Sequence, residues 1–196
     1  TYINNVSFKE IQSINARNLQ TVASEIADKI DRNLFERYGD VQAFALNTIV
    51  RNKDHWYQPA SPIVASMNSY VDTYDIYYLT ILVDLEGKVI AVNDKDDSGN
   101  PVSTGHIYNQ NYKNADWFQN VVNKKFYTSQ QGNTGGNSGF TGTVITPLHI
   151  DEEVKKVYSG DNGMTVGFAA PVYDADGNVL AVWNNYSKFS LVEEIF

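Results

Sequence analysis

The sequence predicts an α+β domain in which a long N-terminal helix precedes an antiparallel sheet of about five strands with flanking helices. Apolar residues over the first 35 positions recur at helical spacing, whereas segments after residue 76 are rich in β-branched and aromatic residues. Two pairs of these later segments flank Asp-x-x-Gly turns, at 84–87 and 174–177. A chain of 196 residues fits one domain, or one domain with a helical appendage.

The first part of the chain is predicted to be helical. A helix over about 5–35 carries one apolar stripe and contains neither Gly nor Pro. Gly39 is expected to end this segment, and Asp40 to cap a second helix that reaches about Val50. The first helix is longer than a small domain needs to cover one sheet, so we expect it to project or to pair with another helix.

The rest of the chain alternates short helices, strands and turns. Residues 130–143 are rich in Gly, Asn, Ser and Thr and predict a mobile loop. The remaining predicted elements are a helix over 61–73, strands over 76–85 and 88–93, a polar loop over 94–111, a helix over 112–124, a strand over 126–129, a helix over 149–157, strands over 164–174 and 178–186, and a final helix from Ser187.

Composition excludes several classes of function. The net charge of −8 disfavours nucleic-acid binding, and the absence of cysteine removes disulfides, thiolate zinc sites and cysteine nucleophiles. Asp94-x-Asp96-x-Ser98-Gly99 imitates the start of a calcium loop, but the expected twelfth-position glutamate is Gly105, so we interpret it as a solvated loop. No catalytic, phosphate-binding or dinucleotide-binding motif is present, so we expect neither an enzyme nor a cofactor or metal site.

Four segments, taken in order, carry a resemblance to a known family. They are 34–44 (LFERYGDVQAF), 83–91 (VDLEGKVIA), 116–118 (DWF) and 168–185 (FAAPVYDADGNVLAVWNN). Their order and spacing resemble the Cache family, the PAS-like extracytoplasmic sensor domains of bacterial chemoreceptors (methyl-accepting chemotaxis proteins) and sensor histidine kinases. The resemblance implies a single module with a PAS-like sheet, a small-molecule pocket on one sheet face, and signal transduction without catalysis.

The resemblance also implies how the chain is organised. Residues 1–196 are expected to be one sensor domain: a long helical segment over 1–50, the sheet module over 51–186, and a C-terminal helix over 187–196. The chain starts and stops inside helical pattern, so we expect a fragment whose flanking membrane segments are absent. The family implies a periplasmic position, an inner-membrane anchor and a homodimer through the N-terminal helix.

The central helix departs from the pattern of amino-acid-binding Cache domains. Those members carry Arg-x-Trp-Tyr, in which the arginine holds the ligand carboxylate by a bidentate pair. This chain has Ala115-Asp116-Trp117-Phe118, so the carboxylate clamp is missing. The prediction is therefore a small organic acid, or a small neutral polar molecule, rather than a free amino acid.

Eight residues are candidates for the ligand site. Trp117 follows from the resemblance, two hydroxyls share one face of the predicted short strand, and an asparagine within an apolar strand suggests a polar cavity. The candidates are Tyr108, Trp117, Phe118, Tyr127, Ser129, Phe168, Trp183 and Asn185. The alternatives are that the aromatic residues belong to the core and that the hydroxyls face water. Two other functions stay open: a dimerisation or protein-interaction module with a vestigial pocket, and a hydrolase using scattered carboxylates.

Overall fold

The computed structural model describes residues 2–127 and 142–189 and confirms the predicted α+β class. One long helix precedes an antiparallel sheet of five strands that carries further helices. The elements are α1 (Tyr2–Ala45), α2 (Pro62–Tyr74), β1 (Tyr77–Asp84), β2 (Val89–Val92), α3 (Asp116–Val122), β3 (Val144–Ile150), α4 (Glu152–Val157), β4 (Met164–Tyr173) and β5 (Val179–Lys188), with 3₁₀ turns at Thr48–Arg51, Lys53–His55 and Gly105–Asn109.

The last strand of the sheet lies at its centre. The strand order is β2-β1-β5-β4-β3, and every neighbouring pair is antiparallel. Asn184 on β5 therefore lies opposite Ile81 on β1 and Ala169 on β4. Because side chains alternate along a strand, consecutive residues of β5 point to opposite faces of the sheet.

Each face of the sheet carries its own apolar core. We call the face covered by α1 and α2 the first face; there Phe44 stacks on Tyr70 with ring centroids 4.0 Å apart and contacts Trp183 at 6.1 Å. We call the opposite face the second face; it is covered by α3, the 3₁₀ turn Gly105–Asn109 and α4. The sheet thus separates two layers of side chains that cannot contact each other directly.

The N-terminal helix is continuous, so the predicted break at Gly39 is wrong. Helix α1 runs for 44 residues to Ala45, which corresponds to about 66 Å. Glycine inside a helix costs about 1 kcal/mol relative to alanine, but the turn after Gly39 buries Val41, Phe44 and Ala45 against the sheet. Asp40 does not start a helix; its carboxylate accepts a hydrogen bond from the Tyr77 hydroxyl at 2.7 Å.

The edge strand next to β4 does not lie where the sequence predicts it. Phe126 and Tyr127 do not form a strand, and residues 128 and 129 lie outside the described residues. The remaining strand of the sheet is β3, for which the sequence predicts no element over 144–148 and the start of a helix at His149. Pro147 and a register shift between Thr146 and His149 interrupt the alternation that would have marked this strand.

The chain after β5 differs from the prediction in part. Ser187 and Lys188, expected to begin a helix, are the last residues of β5, where Ser187 pairs with Val166 on β4. Residues 190–196 lie outside the described residues, as does the predicted mobile loop up to residue 141. Within the described ranges, no helix is both long and apolar enough to cross a membrane.

Candidate functional site

The predicted site residues fall on opposite faces of the sheet. Trp117 and Phe118 are buried on the second face, and Tyr108 packs beside them. Phe168 and Trp183 belong to the core of the first face. Asn185 follows the same alternation as Trp183 and lies with it. These residues therefore cannot all line one pocket.

Of the two hydroxyl residues predicted on a short strand, only Tyr127 belongs to the described part of the chain, and it joins neither group. Tyr127 has a largely exposed side chain, and its backbone N–H donates to the Thr143 carbonyl at 2.8 Å. Ser129 lies outside the described residues.

The polar groups on the first face bind one another. The Trp183 indole N–H donates to Thr80 Oγ1 at 2.6 Å and to Asn185 Oδ1 at 2.9 Å, and the Thr80 hydroxyl donates to the same Oδ1 at 2.8 Å. All three residues are buried. Among the polar side-chain atoms of these three residues, only Asn185 Nδ2 lacks a hydrogen-bond partner within the described part of the chain. Asn185 was predicted from the sequence to contact the ligand. Its side-chain oxygen instead links β1 to β5 beneath helices α1 and α2.

The neighbouring asparagine on the second face is in a different state. Asn184 is 1% exposed, and among the described residues neither atom of its amide meets a partner in hydrogen-bond geometry. An unpaired buried polar group costs about 1–3 kcal/mol, so a native amide in this position calls for a partner. Asn184 was missed by the sequence-based choice, although the same argument about asparagine in an apolar strand applies to it.

The strand beside Asn184 places a glycine next to the amide. Gly167 on β4 carries no side chain; a Cβ placed there would lie 3.0 Å from Thr146 Cβ and 3.7 Å from Asn184 Oδ1. Any larger residue at 167 would crowd Thr146 and reach the amide. The glycine therefore leaves room for the Thr146 side chain on β3 and adds no side chain of its own beside the Asn184 amide.

Two tyrosine hydroxyls accompany the Asn184 amide. Burial raises the pKa of Tyr186 well above its ordinary value, and the Asp151 charge acts in the same direction. The Asn184 and Trp117 side chains lower this pKa as hydrogen-bond donors close to the hydroxyl, although the Asn184 amide does not reach full hydrogen-bond geometry with it. Burial also raises the pKa of Tyr112, followed by the charges of Glu153 and Asp151. Both hydroxyls therefore stay protonated at neutral pH.

The rings of Tyr112 and Trp117 form an aromatic wall of this region. Their centroids lie 5.4 Å apart at an interplanar angle of 43°. The Tyr112 hydroxyl is buried and has no hydrogen-bond partner in the described ranges. The second face thus carries both aromatic rings and buried polar atoms that have no partner among the described residues.

The carboxylates that act on these hydroxyls come from the start of α4. Asp151 Oδ1 caps the helix by accepting the backbone N–H groups of Glu153 and Val154, each at 2.9 Å. Glu153 bridges to the 3₁₀ turn through His106 Nε2 at 2.7 Å and also binds Lys156 at 2.8 Å. Burial raises the pKa of Glu153, but its hydrogen bonds with Lys156 and His106 outweigh burial, so its pKa lies below the ordinary value.

The calcium-like segment has an internal explanation. Asp96 Oδ1 accepts the backbone N–H groups of Ser98 and Asn100, at 3.0 and 2.7 Å, which is how aspartate stabilises a turn. Within the described residues no group of three or more His, Asp and Glu side chains is arranged to hold a metal ion.

Comparison with known proteins relates this architecture to solved structures. No protein-family model matches the sequence, and a search of curated proteins found no match. The ligand-binding domain of the Campylobacter jejuni chemoreceptor Tlp3, solved with L-valine, superposes with a TM-score of 0.61 at 12% identity. The chain has the fold of a chemoreceptor ligand-binding domain. The PAS-like architecture implied by the Cache resemblance is therefore confirmed.

Two further structures share the fold. The ligand-binding domain of the Pseudomonas aeruginosa amino acid chemoreceptor PctC, solved with GABA, gives a TM-score of 0.56 at 14% identity. That of the Pseudomonas fluorescens chemoreceptor CtaA, solved with L-serine, gives 0.50 at 14% identity. The alignments cover 91%, 91% and 87% of this chain but only 62%, 66% and 57% of the Tlp3, PctC and CtaA domains. The chain thus spans about three fifths of their length.

Proposed function

We propose that this chain is the extracytoplasmic sensor domain of a membrane receptor in chemotaxis or a related signalling pathway, and that it binds a small molecule on the second face. The observation that carries this proposal is the Asn184 amide, which is buried between strands and has no partner for either polar atom among the described residues. A ligand that hydrogen-bonds this amide would remove its desolvation cost. The fold shared with chemoreceptor ligand-binding domains supports the same function.

The proposed site combines predicted and newly found residues. Trp117, Phe118 and Tyr108 are retained from the sequence-based candidates because they lie on the second face. Tyr112, Asn184 and Tyr186 join them, since their side chains lie on the same face of the sheet. Phe168, Trp183 and Asn185 are proposed to act on the other side of the sheet, as a support for the strands rather than as ligand contacts.

A small organic acid, which the sequence favours, would have to be held here by neutral donors. The Asn184 Nδ2 group and the tyrosine hydroxyls can donate hydrogen bonds to a carboxylate. In the described part of the chain, no lysine or arginine forms a hydrogen bond or ion pair with Tyr112, Asn184 or Tyr186. A neutral polar or cationic group suits this environment better than an anion.

The route by which binding would reach the membrane starts at β5. Asn184 faces the proposed ligand, and its neighbour Trp183 contacts Phe44 of α1 on the first face. A shift of β5 on ligand binding would therefore change the packing of α1.

We propose that α1 mediates a homodimer, and that flanking segments outside this chain anchor the receptor in the inner membrane. Exposed apolar side chains along α1 support a helix partner: Ile14, Leu19, Val22 and Phe35.

The alternative is a dimerisation or protein-interaction module with a vestigial pocket. The same exposed apolar residues of α1 favour it, and so does the dense packing of Trp117 and Phe118 on the second face. The two functions differ in one respect: only the sensor gains stability from a small molecule.

A ligand screen with one substitution on each face tests the sensor function. We expect saturable thermal stabilisation of the chain by one chemical class from a library of small metabolites. Asn184→Leu should abolish this stabilisation, because it removes the amide that the ligand binds, while the protein still unfolds cooperatively. Asn185→Leu is the matched control, since it makes the same change on the first face and should leave ligand affinity within about threefold. If no compound of a broad library stabilises the wild-type protein, the result would favour the interaction module.

A further inference from the structure

We infer that Thr143 is a positioning residue that links the second face of the sheet to α1, so that the tilt of α1 depends on the position of α3. This inference rests on the proposed sensor function and adds a route by which binding on the second face would reach the long helix. The link lies at the β3 edge of the sheet, apart from the contact between Trp183 and Phe44 on the central strand.

Thr143, which directly precedes β3, binds α1 through its side chain. Its hydroxyl donates a hydrogen bond to the Tyr38 carbonyl at 2.7 Å and accepts one from Gln42 Nε2 at 3.0 Å. Both Thr143 and Gln42 are buried, so water competes little for these bonds. One turn of α1 therefore uses both the donor and an acceptor site of this hydroxyl.

The backbone of the same residue binds the segment that follows α3. The Thr143 carbonyl accepts the Tyr127 N–H at 2.8 Å. Two residues earlier, the Lys125 N–H donates to the Asn120 carbonyl of α3, also at 2.8 Å. Between these two bonds, Phe126 packs against the core of the second face. Hydrogen bonds thus connect α3, this segment, Thr143 and α1 in sequence.

Close packing makes this connection stiff. Gly142, the neighbour of Thr143, has a φ of 112°, and a Cβ there would lie 2.8 Å from Phe126 Cγ. That distance is too short for two carbon atoms, so a glycine is required where the chain passes the Phe126 ring. The ring and the backbone at Gly142 are therefore in direct contact, and a displacement of α3 would be passed on to Thr143.

A second polar contact holds α1 on its opposite flank. Tyr77 at the start of β1 donates its hydroxyl to Asp40 Oδ2 at 2.7 Å, and Arg37 Nε lies 2.8 Å from the same oxygen. Asp40 and Gln42 project about 200° apart around the helix, and between the two contacts α1 packs over β5 and β4. This turn of α1 is thus held from both sides, and movement of the Thr143 side alone would tilt the helix about Asp40.

Electron paramagnetic resonance distances test the link without a ligand. Because the 196-residue chain contains no cysteine, spin labels can be attached through Ser13→Cys on α1 and Ser69→Cys on α2, which are both exposed positions. An excess of unlabelled chain suppresses distances between two copies. Ser13 lies about 40 Å along α1 from Asp40, so a tilt of about 4° moves it by about 3 Å.

Gly142→Ala is the perturbation, because its methyl group crowds the Phe126 ring and should displace Thr143. We expect the mean distance between the labels to shift by at least about 2 Å. In a Thr143→Val background the same perturbation should give no shift, because the hydroxyl that binds α1 is absent. Thr143→Ser keeps the hydroxyl and should retain the shift. If Gly142→Ala does not unfold cooperatively, Phe126→Leu alters the same contact by removing the ring.

Thr165→Val is the matched control for the loss of a buried hydroxyl. Thr165 is buried and donates its hydroxyl to the Ser187 carbonyl at 2.7 Å, the same length as the bond from Thr143 to Tyr38. This bond joins β4 to β5 and does not involve α1. Gly142→Ala should therefore shift the label distance as much in the Thr165→Val background as in the wild type.

The outcomes separate this link from the sensor function. Equal shifts in the wild-type and Thr143→Val backgrounds would overturn the link, as would unchanged distances in folded Gly142→Ala and Phe126→Leu variants. In either case, a stabilising compound whose effect Asn184→Leu abolishes would still support the sensor function, with β5 as the route to α1. If the shift depends on Thr143 but the metabolite screen yields no compound, the link stands and the sensor function fails.

Discussion

Asn184 and Asn185 are consecutive residues of one strand, yet their amides are in opposite energetic states. The Asn185 oxygen accepts two hydrogen bonds, from Thr80 and Trp183, whereas the Asn184 amide has no partner in the described part of the chain. Both residues are at most 1% exposed, so burial does not distinguish them. This difference is the basis for proposing that the first face serves stability and that the second face binds a ligand.

The largest expected effect concerns the first face. Asn185→Leu has a similar shape but removes the acceptor shared by Trp183 and Thr80, and it leaves the Thr80 hydroxyl without its acceptor. We expect the free energy of unfolding to fall by about 1–3 kcal/mol, measured by urea denaturation monitored through tryptophan fluorescence. An unchanged denaturation midpoint would mean that this network contributes nothing to stability.

The same substitution on the second face should act in the opposite direction. Asn184→Leu replaces an unpaired buried amide by an apolar side chain of similar size, so the ligand-free protein should gain up to about 1 kcal/mol. Urea denaturation of this variant beside Asn185→Leu measures the contrast. A loss of stability similar to that of Asn185→Leu would show that Asn184 is an ordinary structural residue.

A smaller effect is expected where the second face meets α4. The folded-state pKa of Glu153 is lowered from 4.5, so its bonds with His106 and Lys156 stabilise the fold above that pH and are lost as pH falls through the lowered pKa. Glu153→Gln should therefore lower the melting temperature at pH 7, and the difference from wild type should shrink as pH falls below 4.5. A difference that stays constant from pH 7 to about pH 3 would exclude this carboxylate as its source.

The sequence predicted the central strands of the sheet, but it did not predict which face of the sheet carries the candidate site. Strands β1, β4 and β5 are buried on both faces for most of their length, so they are rich in β-branched and aromatic residues throughout, and this composition made them recognisable. The two-residue period of a strand predicts that Asn184 and Asn185 point to opposite faces of the sheet. It does not predict which of the two residues faces α3. That choice depends on which helices cover each face, and this information lies in distant parts of the chain.

The two errors in element placement have local causes. Gly39 has the residue type of a helix end, but the apolar residues that follow it are buried together with the sheet, and tertiary packing overrides the local preference. Edge strand β3 lacks a buried alternating pattern, because Leu148 and Ile150 are exposed and Pro147 interrupts the strand. Both cases require knowledge of neighbours that are remote in sequence.

The absence of a break at Gly39 has a mechanical consequence. Since α1 is one helix of about 66 Å whose C-terminal end packs on the sheet through Phe44, it moves as a single rod. A tilt of only about 3° at the sheet would sweep the far end through an arc of about 3 Å. A rearrangement of a few tenths of an ångström around β5 would thus be amplified geometrically at the N terminus, without any hinge along the way.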